Sequence, residues 1–181
     1  MKRCSWAKTD LLKAYHDKEW GKPLHDDAKL FELLILETMQ AGLSWETVLK
    51  KRENYRQAID DFNPDIIKDY TIEKQAQLLE SPDIIRNRLK VKSIVTNAKA
   101  LIEVQKEWGS FNHYLWSYVD GQPIDHQIRD ESEVPTQNEL SQKLSKDLKK
   151  KGFSFVGPTV CYAYMQAAGL MNDHHIECAF K

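Results

Sequence analysis

A chain of 181 residues that is 41% hydrophobic and 29% charged is long enough to bury a core and too apolar to be a disordered protein. Its net charge of −1 excludes bulk electrostatic attraction to nucleic acid, leaving only local basic runs to supply one. Three cysteines far apart in sequence, with no leader-like segment, argue against a disulfide framework and for a reducing, cytoplasmic setting.

The segments all read as helix, and none alternates with the period of a strand. Asp10 is placed to cap a short first helix carrying Tyr15 and His16. Asp26 or Asp27 caps a second, running to about Gln40, and Gly42 breaks it. Its apolar stretch, residues 31–39, is too short to span a bilayer and carries Glu32 and Glu37. Ser44 caps a third helix with Trp45, Val48, Leu49, Tyr55, Ile59 and Phe62 on one stripe. Asn63-Pro64 and Ser81-Pro82 each pair a cap with a proline at the first helical position, which predicts two more helix starts. The second of these is short and ends in a basic connection over residues 86–90. A long helix follows, presenting Val91, Ile94, Val95, Ala98, Leu101 and Ile102 on one face. Gly109-Ser110 separates it from a helix over 111–119, and an irregular loop is expected over about 125–135. Thr136-Gln137-Asn138-Glu139 reads as a capping box for a helix reaching about Lys151, with Gly152 as its stop. Pro158 opens a last apolar helix ending at Gly169. With no repeat or linker, the expectation is one compact all-α domain over residues 1–181.

Cys4 and His16 lie near one end of the chain, His174 and Cys178 near the other. Two thiolates and two imidazoles can close a tetrahedral zinc site. The Cys4 to His16 spacing matches no standard finger, so spacing alone favours a plain cytosolic thiol with scattered histidines over a zinc site. Glu37 is the second anomaly, because it falls on the apolar stripe of Leu30, Leu33, Leu34 and Ala41. A carboxylate there needs a partner or a shifted pKa. It is either one half of a buried ion pair or a group held in an apolar pocket to meet a polar or cationic ligand. Trp6, Tyr15, Trp20 and Trp45 cluster in the same quarter of the chain. A carboxylate, a phenol and several indoles suit a flat heterocycle, such as a base removed from its helix.

The runs Tyr15-His16-Asp17, Glu19-Trp20-Gly21 and residues 37–45, Glu37-Thr38-Met39-Gln40-Ala41-Gly42-Leu43-Ser44-Trp45, together resemble the 3-methyladenine DNA glycosylase I family. Lys50-Lys51-Arg52-Glu53-Asn54-Tyr55, Phe153-Ser154-Phe155-Val156-Gly157 and Asn172-Asp173-His174 extend the resemblance over essentially the whole chain, in order. It implies a small all-α repair enzyme of the helix-hairpin-helix superfamily, acting as a monomer on double-stranded alkylated DNA with free 3-methyladenine as product. It implies one structural zinc ion on Cys4, His16, His174 and Cys178, choosing His174 over His175. It implies that Glu37 contacts the damaged base, that Tyr15 hydrogen-bonds to it and that Trp45 stacks on it, with Trp6 and Trp20 completing the wall. The DNA-binding hairpin falls on residues 85–90, with Arg86, Arg88 and Lys90 holding phosphates, and Gly42-Leu43 falls where a wedge fills the gap left by the base. The catalytic aspartate that most of the superfamily places beyond the hairpin is missing. The main alternative is a non-enzymatic, zinc-stabilised helical DNA-binding protein, in which Glu37 among its aromatics would be superfluous.

Overall fold

The second helix is the axis of the molecule. The computed structural model describes residues 1–181 and contains ten α-helices: α1 Asp10–Lys18, α2 Asp27–Met39, α3 Trp45–Lys50, α4 Arg52–Ala58, α5 Pro64–Ile67, α6 Ile72–Glu80, α7 Arg88–Trp108, α8 Phe111–Trp116, α9 Glu139–Lys150 and α10 Pro158–Ala167. Every residue of α2 from Leu33 to Met39 is buried, because α3, α7, α8 and α10 all pack on it. One contiguous core of 38 buried residues runs from α2 to α10, which makes the chain a single domain. No residue before Leu30 belongs to that core, but Trp20 and Leu24 pack against it, and the Gly21 and Leu24 amides donate to the Gln166 and Ala168 carbonyls at the end of α10. No helix is long and apolar enough to cross a membrane.

Several helix boundaries differ from those the sequence predicts. Thr9, not Asp10, caps α1 by accepting from the Leu12 amide. Asp26 caps α2. Asp27 instead reaches across the fold to the amides of Phe111 and Asn112 and the side chain of Gln105, seating the start of α8. The third predicted helix breaks at Lys51 into α3 and α4. Ser81-Pro82 opens no helix. Ser81 is extended and its hydroxyl accepts from Asp83 in a turn over residues 81–87, as the residue before proline is steered away from helix. The preceding helix, α6, is capped by Thr71 and was not anticipated. Asn138 rather than Thr136 caps α9, in a reciprocal box with Ser141.

The all-α expectation also needs one correction. Ile124–Asp125 (β1) and Met171–Asn172 (β2) form a two-residue parallel pair, with Ile124 opposite Met171. It is too short for periodicity to reveal. Its effect is to dock the 125–135 loop beside the C-terminal segment that carries Asp173 and His174.

Candidate base pocket and metal cluster

α1 delivers two candidate site residues in succession. Tyr15 and His16 are both buried, and because consecutive helical side chains diverge, they serve different sites. Tyr15 enters a cavity of about 370 Å³; His16 enters a cluster of groups that could hold a metal ion.

The cavity is lined by Trp6, Tyr15, Trp20, Glu37 and Trp45, together with Gln40, Val134, Ala163, Gln166 and Asp173. All five residues that the sequence associated with a base pocket are therefore brought together. Trp6 packs edge-on to Trp20 at 5.1 Å, and Tyr15 lies tilted against Trp45 at 5.4 Å. Glu37 is 4% exposed, and its Oε2 is buried without any hydrogen-bond partner. That excludes the buried ion pair. Burial pushes the Glu37 pKa from 4.5 up to about 8, since an ionised carboxylate loses its hydration there. Trp45 likewise has a buried Nε1 with no partner. A pocket wall with an unpartnered buried carboxyl can serve something that is not part of the chain. Burial, aided by the nearby Glu37, raises the Tyr15 pKa well above its ordinary value and keeps the phenol neutral.

Gln40, Gln166 and Asp173 were missed as pocket residues. Asp173 is fully buried and accepts from Tyr162 at 2.6 Å, Gln166 at 2.7 Å and His126 at 2.5 Å. The Asn172-Asp173-His174 run was a signal for it, but a carboxylate whose bonds come from distant elements announces no role in sequence. The 125–135 loop supplies the remaining wall through Glu131 and Val134. Glu131 also binds the backbone and hydroxyl of Ser5.

Cys4, His16, His174 and Cys178 are all buried, and their ligand atoms lie within 4.8 Å of one another. Cys178 Sγ is 3.5 Å from His16 Nε2 and 3.4 Å from His174 Nδ1, and Cys4 Sγ is 3.7 Å from His174 Nδ1. Sulfur and nitrogen on adjacent corners of a zinc tetrahedron are about 3.6 Å apart, so the separations fit. The outer nitrogens are also engaged. His16 Nδ1 meets Asp17 at 2.8 Å, and His174 Nε2 meets the Trp20 carbonyl at 3.1 Å. These contacts fix the tautomers so that each inward nitrogen carries a lone pair. Arg3 grips Asp17 through two nitrogens, and this holds the Asp17 pKa down at about 2. The group can hold a metal ion. The segment bearing His174 and Cys178 is turn, not helix, and His175 points away to the Arg129 carbonyl.

Gly21 makes the junction of the two sites possible. It has φ +75°, and a Cβ there would lie 2.9 Å from two His174 ring atoms. Trp20 then packs edge-on to the His174 ring at 4.6 Å, so one indole belongs to both the pocket wall and the metal cluster.

The residues expected to face DNA divide. Arg86 and Arg88 are exposed and pair with no carboxylate. Leu43 is 39% exposed at the tip of the turn after α2, where Gly42 has φ +77° and open space about it. Lys90 contradicts the expectation of a phosphate contact. It is 5% exposed, and its ammonium donates to the carbonyls of Met39 at 2.8 Å and Ala41 at 2.7 Å. Its charge is buried between two elements and is not offered to solvent.

Fold and pocket together define a helical protein with an aromatic-lined cavity that carries a buried, unpartnered carboxyl oxygen. The model of the methyladenine glycosylase family matches residues 6–181. DNA-3-methyladenine glycosylase 1 of Escherichia coli is 48% identical over 179 residues, covering 98% of this chain and 96% of the relative. The corresponding glycosylase of Haemophilus influenzae is 47% identical, covering 99% and 97%. A solved structure of 3-methyladenine DNA glycosylase I from Staphylococcus aureus, described as the structural basis of 3-methyladenine recognition, superposes with a TM-score of 0.97 at 40% identity, covering 100% of this chain and 97% of that one. The chain belongs to the methyladenine glycosylase family, and it is an enzyme of the class that hydrolyses N-glycosyl bonds.

Proposed function

We propose that this protein is a monofunctional DNA-repair glycosylase of the helix-hairpin-helix superfamily. It flips 3-methyladenine out of alkylated double-stranded DNA and releases it by hydrolysis, leaving an abasic site. The observation that carries this reading is the unpartnered Glu37 carboxyl in an aromatic cavity of base-accommodating size. The named functions of the relatives agree with it.

Methylation at N3 makes adenine cationic and weakens its glycosidic bond. Glu37, with a pKa of about 8, is mostly neutral before the base arrives. A cationic base removes the cost of ionising it, so the proton leaves and a carboxylate faces the positive ring. An oxygen of Glu37 accepts from the exocyclic amino group that adenine presents on that edge. Unmodified adenine brings no charge and leaves this cost in place, which gives discrimination. Tyr15 donates its hydroxyl to the base, Trp45 stacks on it, and Trp6 and Trp20 close the wall. As the C–N bond breaks, its electron pair goes to the base, which departs neutral. Positive charge develops on the sugar, water adds to the anomeric carbon, and a proton passes to solvent. Flipping, selective binding and the anionic carboxylate supply the acceleration. Outside the pocket, Gly42-Leu43 fills the vacated gap in the stack, and Arg86 and Arg88 hold phosphates without reading sequence.

Cys4, His16, His174 and Cys178 would hold one zinc ion, which would supply a structural cross-link between the ends of the chain. Four protein ligands leave no open position for activated water.

The test is incubation with methylated duplex DNA, followed by chromatography of the released bases and gel analysis of the strand. Release of 3-methyladenine with the backbone intact is expected. Absence of release above a protein-free control would overturn the reading.

A further inference from the structure

We propose that Lys90 is a positioning residue that braces the Gly42-Leu43 wedge against α7. The inference rests on the glycosylase reading above and on the wedge assigned there. Lys90 is almost completely buried and has no carboxylate partner among the ion pairs of the structure. A buried ammonium is costly unless its protons are bound, and here two backbone carbonyls, Met39 and Ala41, bind them. These carbonyls flank Gln40 at the C-terminal end of α2, where the helix leaves carbonyls unsatisfied and carries partial negative charge.

The turn they belong to has little else to hold it. Gln40 N bonds Glu37 O, and Leu43 N bonds Gln40 O at 2.7 Å, but both bonds are local. No side chain other than Lys90 donates to the carbonyls of residues 39–43. At the opposite end, Lys90 sits in the first turn of α7, where the Asn87 side chain accepts from its amide at 3.0 Å. The preceding 81–87 turn is gripped by α4 and the junction between α3 and α4. Lys51 donates to Pro82 O at 3.2 Å, Asn54 donates to Asp83 O at 3.1 Å, and Tyr55 accepts from Ile85 N at 3.1 Å. The segment that faces the phosphates and the turn that enters the base stack are therefore laced into one body. Lys90 is the stitch between them. A wedge pushed between stacked bases meets resistance, and Lys90 passes that load to a 21-residue helix rooted in the core.

Lys90→Met keeps most of the side-chain volume and leaves both carbonyls unbound. Release of 3-methyladenine from methylated duplex DNA should fall by about tenfold or more. Release from methylated single-stranded DNA, which has no gap to fill, should stay close to wild type, as should the affinity for free 3-methyladenine read by tryptophan fluorescence. An equal fall on both DNA substrates, weaker binding of the free base, or no fall on duplex would each overturn the proposal. If Lys90→Met does not fold, Lys90→Leu carries the same comparison, because it too removes every donor to the two carbonyls. Wild-type release in the same assay tests the glycosylase reading by itself. The duplex-to-single-strand ratio of the variant tests Lys90.

Discussion

Glu37 is an acid placed where its charge is disfavoured, and this has measurable consequences in opposite directions for stability and binding. The unfolded chain gives up this proton near pH 4.5, whereas the folded chain keeps it until about pH 8. Between those values folding takes up a proton, so this residue lowers stability progressively as pH rises. Each unit corresponds to about 1.4 kcal/mol. Glu37→Gln cannot ionise. Its melting temperature should gain on wild type by several degrees between about pH 5 and about pH 8, and a constant gap would contradict the pKa. The same substitution should lower kcat/KM on methylated duplex by about tenfold to a hundredfold, the scale of a charged hydrogen bond, with the fold retained. Binding has the reverse pH dependence. An adenine fixed as a cation by alkyl groups at N3 and N9 must expel the Glu37 proton below about pH 8. Its affinity should therefore rise by up to about tenfold per pH unit and then level off. Calorimetry showing flat or falling affinity over that range would remove Glu37 from the role. Glu37 was legible in sequence as a carboxylate on an apolar stripe. Its freedom from an ion pair was not, because that depends on which cations the other helices bring near.

At the scale of elements, α1 and the Trp20-Gly21 turn connect the two sites. Gly21→Ala would place a methyl group 2.9 Å from the His174 ring at a backbone angle of φ +75°. A loss of about 1–3 kcal/mol is expected, accompanied by weaker metal retention, since His174 must move. Thermal melts paired with metal analysis check this, and an unchanged melting temperature would refute it. The helices themselves were largely readable from apolar stripes and from caps such as Ser44, Asn63 and Asp26. What failed was local punctuation with more than one meaning. Ser81-Pro82 has the letters of a helix start and forms a turn. Lys90 has the letters of a phosphate contact and binds two carbonyls. In both cases tertiary contacts decided the outcome. The β1–β2 pair has only two residues a side, too few for any pattern.

At the scale of the whole molecule, the core begins at Leu30, yet Trp6, Tyr15 and Trp20 of the pocket all precede it. Trp20 packs against that core and Tyr15 against Trp45, and the rest of their support comes from the terminal cluster and from contacts such as Ala179 N to Lys2 O at 3.0 Å. Removing the metal with a chelator, or substituting Cys178→Ser, should lower the melting temperature by on the order of 5–10 °C. The segment before Leu30 should then become the first site of proteolysis. An unchanged melt would show that the cluster is not a fastener. The central claim is that the cavity between Glu37, Tyr15 and Trp45 receives the alkylated base, and a structure of the protein soaked with 3-methyladenine tests it most directly. The account predicts the ring stacked on Trp45, within hydrogen-bond distance of the Glu37 carboxyl and the Tyr15 hydroxyl. A base bound elsewhere, with Glu37 Oε2 still without a partner, would contradict it.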